Sequence, residues 1–95
     1  MSAARARAVD VFAAVGEPNR RRILELLAVG DRAVGELAAE LGIAQPSVSQ
    51  HLAVLTAVGL VASARVGTRS VYSVVPAPLA ELTTWAAGIT RSSAP

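Results

Sequence analysis

The chain has 95 residues, 53% of them hydrophobic but only 3% aromatic, with nine basic residues against seven acidic ones, a formal charge of +2 and no cysteine. That length suits one domain burying about 60–65% of its unfolded surface, and a core drawn from Leu, Val, Ile and Ala favours packed helices over an aromatic-rich sandwich. The lack of cysteine excludes disulfides, thiol catalysis and thiolate metal sites, and with one histidine and no close carboxylate pair there is no nucleophile–base set, so no enzyme is expected.

The opening "MSAARARAVDVFAAVGE" carries two early arginines, but Asp10 interrupts an apolar stretch already short for a signal segment. An ordinary helix is expected over residues 4–15, with apolar stripes from Val9, Phe12 and Ala13 and from Val11 and Val15. "EPNRRRILELLAVGD" opens a second helix at Pro18, where a missing N–H costs nothing. Its inward face is Ile23, Leu24, Leu26 and Leu27, and Gly30 is expected to end it in the left-handed conformation. Arg20, Arg21 and Arg22 fall in its first turn, where cations oppose the helix dipole. They therefore call for a partner, either phosphate or a carboxylate such as Glu17 or Glu25.

"AVGELAAELG" gives a short third helix with Val34, Leu37, Ala38 and Leu41 at i, i+3, i+4 and i+7 and Gly42 as its stop. Only Ile43, Ala44 and Gln45 separate it from a fourth helix over about Pro46 to Val58, ended by Gly59. Two short helices across so tight a turn form a helix-turn-helix, placed at residues 34–58. The run from Leu41 to Ala64 is uncharged and about as long as a bilayer span. Gln45, Pro46, Ser47, Ser49, Gln50, His51 and Gly59 interrupt it, however, and its apolar residues keep to one helical side, which excludes a membrane segment. On that fourth helix Val48, Leu52 and Leu55 cluster inward; Pro46, Gln50, Ala53 and Ala57 point outward, flanked by Ser47 and Ser49. His51 falls beside Val48 and Leu52, the place of a half-buried structural histidine rather than a metal ligand.

"LVASARVGTRSVYSVV" turns to β-forming composition around Gly67 and Thr68, a hairpin tipped by Arg65 and Arg69 within a wing over residues 60–75. Pro76 and Pro78 end it. Leu79, Leu82, Trp85, Ala86 and Ile89 then mark a last helix over 79–90, and "SSAP" at the end should fray. Between Glu40 and Glu81 there is no acidic residue, and an acid-free stretch bearing arginines suits a polyanion. The whole chain, residues 1–95, reads as one domain: mainly α with a small β-hairpin, a winged helix-turn-helix of order α-α-α-α-β-β-α.

The blocks "EPNRRRILELL", "VGELAAELGIAQPSVSQHLAVLTAVGLV" and "RVGTRSVYSV" resemble the arsenic-repressor (ArsR/SmtB-type) family of bacterial transcriptional regulators. The resemblance covers roughly residues 10–75 without a gap, and "QPSVSQHL…GLV" is its most specific part. It implies a cytoplasmic homodimeric repressor that binds an inverted-repeat operator, dimerises through its first and last helices and leaves DNA when it meets an effector, whose identity the sequence does not give. The residues agree with this: major-groove base edges are read by donors and acceptors that Gln, Ser and Thr can match, and helix N-termini favour phosphate. The candidate DNA contacts are Gln45, Ser47, Ser49, Gln50, Arg65, Arg69 and Arg20. The candidate dimer interface is Val9, Phe12, Leu82, Trp85, Ala86 and Ile89, an apolar set too large for so small a domain to cover.

The chain also departs from the resemblance. Many relatives sense metals through a cysteine pair in the third helix or His and carboxylate ligands in the last. Here those helices offer "VGELAAEL" and only Glu81, short of the three or four ligands a transition metal needs. No metal and no cofactor are expected through those sites. Ala33 and Ala44 stand where relatives place Ser or Thr caps, each absence costing about 1 kcal/mol, and Ala53 stands where lysine is common. Salt dependence should then rest on the arginines of the wing and second helix. The alternative function is a winged-helix module that binds another protein, or an autorepressor controlled by a partner.

Overall fold

The computed structural model describes residues 11–93. Helix α1 is seen over residues 11–15 and sets Val11 and Ala14 into the core; residues 4–10, including Val9, lie outside the described part. Helix α2 (Pro18–Val29) begins as expected, with Pro18 in the first turn and Glu17 as N-cap, its side chain accepting from Arg20 N–H at 2.9 Å. It buries Ile23, Leu24 and Leu27.

The end of α2 differs from expectation. Gly30 has φ 176° and ψ 156°, extended backbone rather than left-handed, because the chain does not reverse there but runs straight on into a two-residue strand, β1 (Arg32–Ala33). Helix α3 (Val34–Leu41) follows at once, burying Leu37 and Leu41. Gly42 takes the left-handed conformation at φ 71°, and Ile43 N–H reaches back to Ala38 O at 3.3 Å. The chain so turned enters helix α4 (Gln45–Ala57), which buries Val48, Leu52 and Leu55. Gly59, at φ 79°, ends that passage with the paired bonds Leu60 N–H to Leu55 O (2.9 Å) and Gly59 N–H to Thr56 O (3.0 Å). This is the double bond of a Schellman cap, and it drops Leu60 and Val61 into the core.

Strands β2 (Val61–Val66) and β3 (Arg69–Val74) form the expected hairpin, with Gly67 at φ 63° in its turn. β1 adds a third strand, giving the antiparallel order β1-β3-β2. Its register sets Arg32 opposite Tyr72 and Ala33 opposite Val71. A 3-10 turn (Ala77–Leu79) leads into helix α5 (Ala80–Ser92). Leu79 and Leu82 pack against the core, but no residue of α5 is buried. No helix of the described residues is long and apolar enough to cross a membrane.

Candidate nucleic-acid interface

The inward residues of α4 repeat at i, i+4 and i+7, so its far side is left to solvent. Gln45, Ser47, Ser49 and Gln50 are all exposed there, with Pro46 and Ala53. Gln45 and Ser49, four apart, share one flank of that side; Ser47 and Gln50, three apart, share the other. Among the described residues no hydrogen bond uses these four side chains, so their amides and hydroxyls are available to a partner. Gln45 lies closest to α3: a Cβ on Gly35 would stand 2.9 Å from its Nε2, so the glycine lets the two helices meet at this corner. Neither Ala33 nor Ala44 supplies a cap from its side chain. At α3 the deficit is partly made good by Glu36, whose Oε1 accepts from Ala33 N–H at 2.8 Å.

The hairpin extends beyond the core. Cross-strand pairs put Arg65 opposite Ser70 and Arg69 opposite Val66, and alternation along each strand sends the two arginines to opposite faces. Arg65 lies on the face that carries Val61 and Tyr72 inward at the hairpin's base. Arg69 lies on the other face and is not fully extended into solvent: its Nη2 donates to Glu36 Oε1 at 2.7 Å. First the Ala33 N–H bond, then the Arg69 cation, holds the Glu36 carboxyl below its ordinary value, against a raising effect from desolvation. Sequence reading missed Glu36. Its position three residues after Ala33 signals a capping residue, but its partner is 33 positions away and is brought near only by β1.

Two of the three arginines of α2, Arg20 and Arg21, meet a different partner from either expected one. Arg20 donates from Nε to Ala14 O at 2.7 Å and from Nη2 to Ala13 O at 3.3 Å, and Arg21 donates from Nη1 to Val15 O at 2.8 Å. These are carbonyls of the last turn of α1, where a cation is favoured by the dipole; Ala13 O also accepts from Gly16 N–H at 3.1 Å. The guanidinium of Arg20 thus joins α1 to α2. Its Nη1 also lies 3.4 Å from His51 Nδ1, which is 3.8 Å from Glu17 Oε2. His51 is half-buried in this polar corner between α2 and α4.

Of the apolar set named from the terminal helices, Phe12 and Trp85 meet edge to face, with ring centres 5.3 Å apart and planes at 84°. They line a shallow, mostly apolar groove with Ala80, Glu81 and Thr84. Trp85 and Ile89 remain 58% and 49% exposed, Ala86 is exposed, and Leu82 is half-buried against the core.

This arrangement of elements is shared. The family model for the bacterial regulatory protein, arsR family, matches residues 17–63, the span from the cap of α2 to the start of β2. The transcriptional repressor SdpR of Bacillus subtilis is 36% identical over 76 residues, 80% of this chain and 84% of that protein. The chain belongs to the arsR family. The HTH-type transcriptional regulator Rv2034 of Mycobacterium tuberculosis is 49% identical over 71 residues, 75% of this chain and 66% of its own length; the chain thus spans about two thirds of that relative. Among solved structures, the ArsR-like transcriptional regulator from Rhodococcus sp. RHA1 superposes with a TM-score of 0.81 at 30% identity, covering 96% of this chain and 86% of that one. The arsR-family fold, mainly helical with a small antiparallel wing, is the one expected from the order of elements; β1 and the 3-10 turn are additions to that order.

Proposed function

We propose that this arsR-family chain is a transcriptional repressor that binds an inverted-repeat operator as a cytoplasmic homodimer. Helix α4 enters the major groove with Gln45, Ser47, Ser49 and Gln50 toward base edges and nearby phosphates, while Arg65 and Arg69 of the wing follow the backbone or the adjacent minor groove. The observation that carries this is the division of α4: one side is closed in the core, and the other offers four unpaired amide and hydroxyl side chains with no charge to restrict them to phosphate. Arg20 is omitted from the contacts because its guanidinium joins α1 to α2, so salt dependence falls chiefly on the wing. A second copy meets the first through Phe12, Leu82, Trp85, Ala86 and Ile89, and two α4 helices then lie about 34–36 Å apart, one turn of DNA. Metal is not sensed through the family's usual sites, since the chain has no cysteine and one histidine.

Titration of a labelled fragment of the protein's own upstream DNA tests the reading. The expected result is binding that weakens with salt and prefers one sequence over scrambled DNA. Gln50→Ala should reduce that preference by about 1–3 kcal/mol while leaving the melting temperature unchanged. Binding indifferent to both salt and sequence would end it.

A further inference from the structure

The wing and the start of α3 are joined through one carboxylate. β1 sets Ala33 opposite Val71, and Arg69 lies two residues before Val71 on the same face of β3. Strand pairing therefore carries the wing's arginine back over the first turn of α3. There a single oxygen, Glu36 Oε1, accepts from Ala33 N–H at 2.8 Å and from Arg69 Nη2 at 2.7 Å. Both side chains are about half exposed, 51% for Glu36 and 57% for Arg69, so a third group can reach the pair from solvent.

We propose that Glu36 is the internal counter-ion of the wing: in the free protein it holds Arg69 against α3, and DNA engages Arg69 by taking it from Glu36. This rests on the reading of Arg69 as a DNA contact. A phosphate presents the same kind of anionic oxygens to a guanidinium as a carboxylate does, so the two compete for one set of donors. An exposed pair is weak enough for the exchange to run at low cost. The two wing arginines are therefore not equivalent. Arg65, on the opposite face, has no carboxylate partner among the described residues and meets a phosphate directly. Arg69 must leave Glu36 first, so its contact with phosphate is weakened by the pair it has to break. Glu36 acts on DNA through Arg69 and is a positioning residue.

A double-mutant cycle on operator binding tests this. Glu36→Gln keeps an acceptor for Ala33 N–H and removes the charge. It should tighten binding about two- to fivefold near 0.1 M salt and steepen the salt dependence by up to about one unit of slope, because Arg69 then starts unpaired. In an Arg69→Gln background the same change should alter affinity by less than about twofold, since the coupled partner is gone. An equal tightening in both backgrounds overturns the proposal by showing that Glu36 acts through its own repulsion, and no change beside an intact Arg69 overturns it as well; either result leaves operator binding itself in place. Failure of the unaltered protein to bind any fragment removes the underlying reading instead, and the proposal with it. Melting curves confirm that each variant is folded. Should Glu36→Gln not fold, Glu36→Asp, which draws the charge one methylene back from the wing, carries the same cycle at smaller amplitude.

Discussion

Helices α4 and α5 are both 13 residues long, and the chain treats them in opposite ways. α4 is closed along one side, with Val48, Leu52 and Leu55 at 0–1% exposure, and its outward side is small and polar. α5 buries nothing and turns a tryptophan and an isoleucine half outward. A helix whose apolar side is already covered adds no hydrophobic gain by meeting another surface; what it has left are donors and acceptors, which suit a hydrated, hydrogen-bonding partner. A helix whose apolar side is uncovered still gains by removing that area from water. The two helices thus define two different surfaces of one small domain, and substitutions on each should fail in different assays.

The largest effect is expected inside α4. Leu52→Ala leaves a hole beneath the helix and should cost about 2–5 kcal/mol, a large share of the stability of a domain this size. Urea denaturation reads it directly, and a loss under about 1 kcal/mol would show that α4 is not seated as described and break the contrast. Trp85→Ala comes next and should behave otherwise. Within one subunit it removes the edge-to-face contact with Phe12, worth about 0.5–1.5 kcal/mol. Between subunits an aromatic anchor is worth about 2 kcal/mol or more, so self-association should weaken about 30-fold or more. Sedimentation equilibrium separates the two effects. An unaltered protein that stays monomeric across its concentration range would leave α5 with some other partner and end the interpretation of its exposed face as a dimer surface.

How far this contrast was legible beforehand depends on the range of the interaction. The inward set of α4 repeats with helical period, and Gly42 and Gly59 mark its limits by needing positive φ; these are local signals, and the residues declared them. The exposed face of α5 was also legible, because Trp85, Ala86 and Ile89 are apolar residues at helical spacing in a chain with little else to cover them, although Leu82 of the same set packs against the core. What escaped was everything that depends on one helix end meeting another element. Two residues, Arg32 and Ala33, have no periodicity to reveal a strand. Gly30 looked like a left-handed stop because the strand after it was unseen. Arg20 and Arg21 looked like cations awaiting an anion, since nothing in "NRRR" tells that the last-turn carbonyls of α1 fold over them. Glu36 and Arg69 carry no mutual signal at a separation of 33 positions.

Acid should distinguish the two regions with the smallest effect of all. Glu36 stands on the α3 side of the helix-turn-helix, and its carboxyl is held below the ordinary value of 4.5, chiefly by the Ala33 N–H and then by Arg69. A carboxyl whose native value is depressed contributes stability that is fully present above its unfolded value and is lost as pH falls through the native one. The melting temperature of the unaltered protein relative to Glu36→Gln should therefore be constant above about pH 4.5, the unfolded reference, and should decline toward that of the variant below it. The pair is exposed, so the difference is small and best read as a converging pair of melting curves. The proposed subunit contact of α5 has Glu81 in its groove but not Glu36, so sedimentation of the unaltered protein and of Glu36→Gln should show equal self-association across the same acid range. Melting curves that stay parallel down to pH 2 would mean that neither Ala33 N–H nor Arg69 holds the carboxylate. Self-association that diverges between the two proteins in acid would mean that the wing corner and the α5 face are coupled, and the separation of the two surfaces would no longer hold.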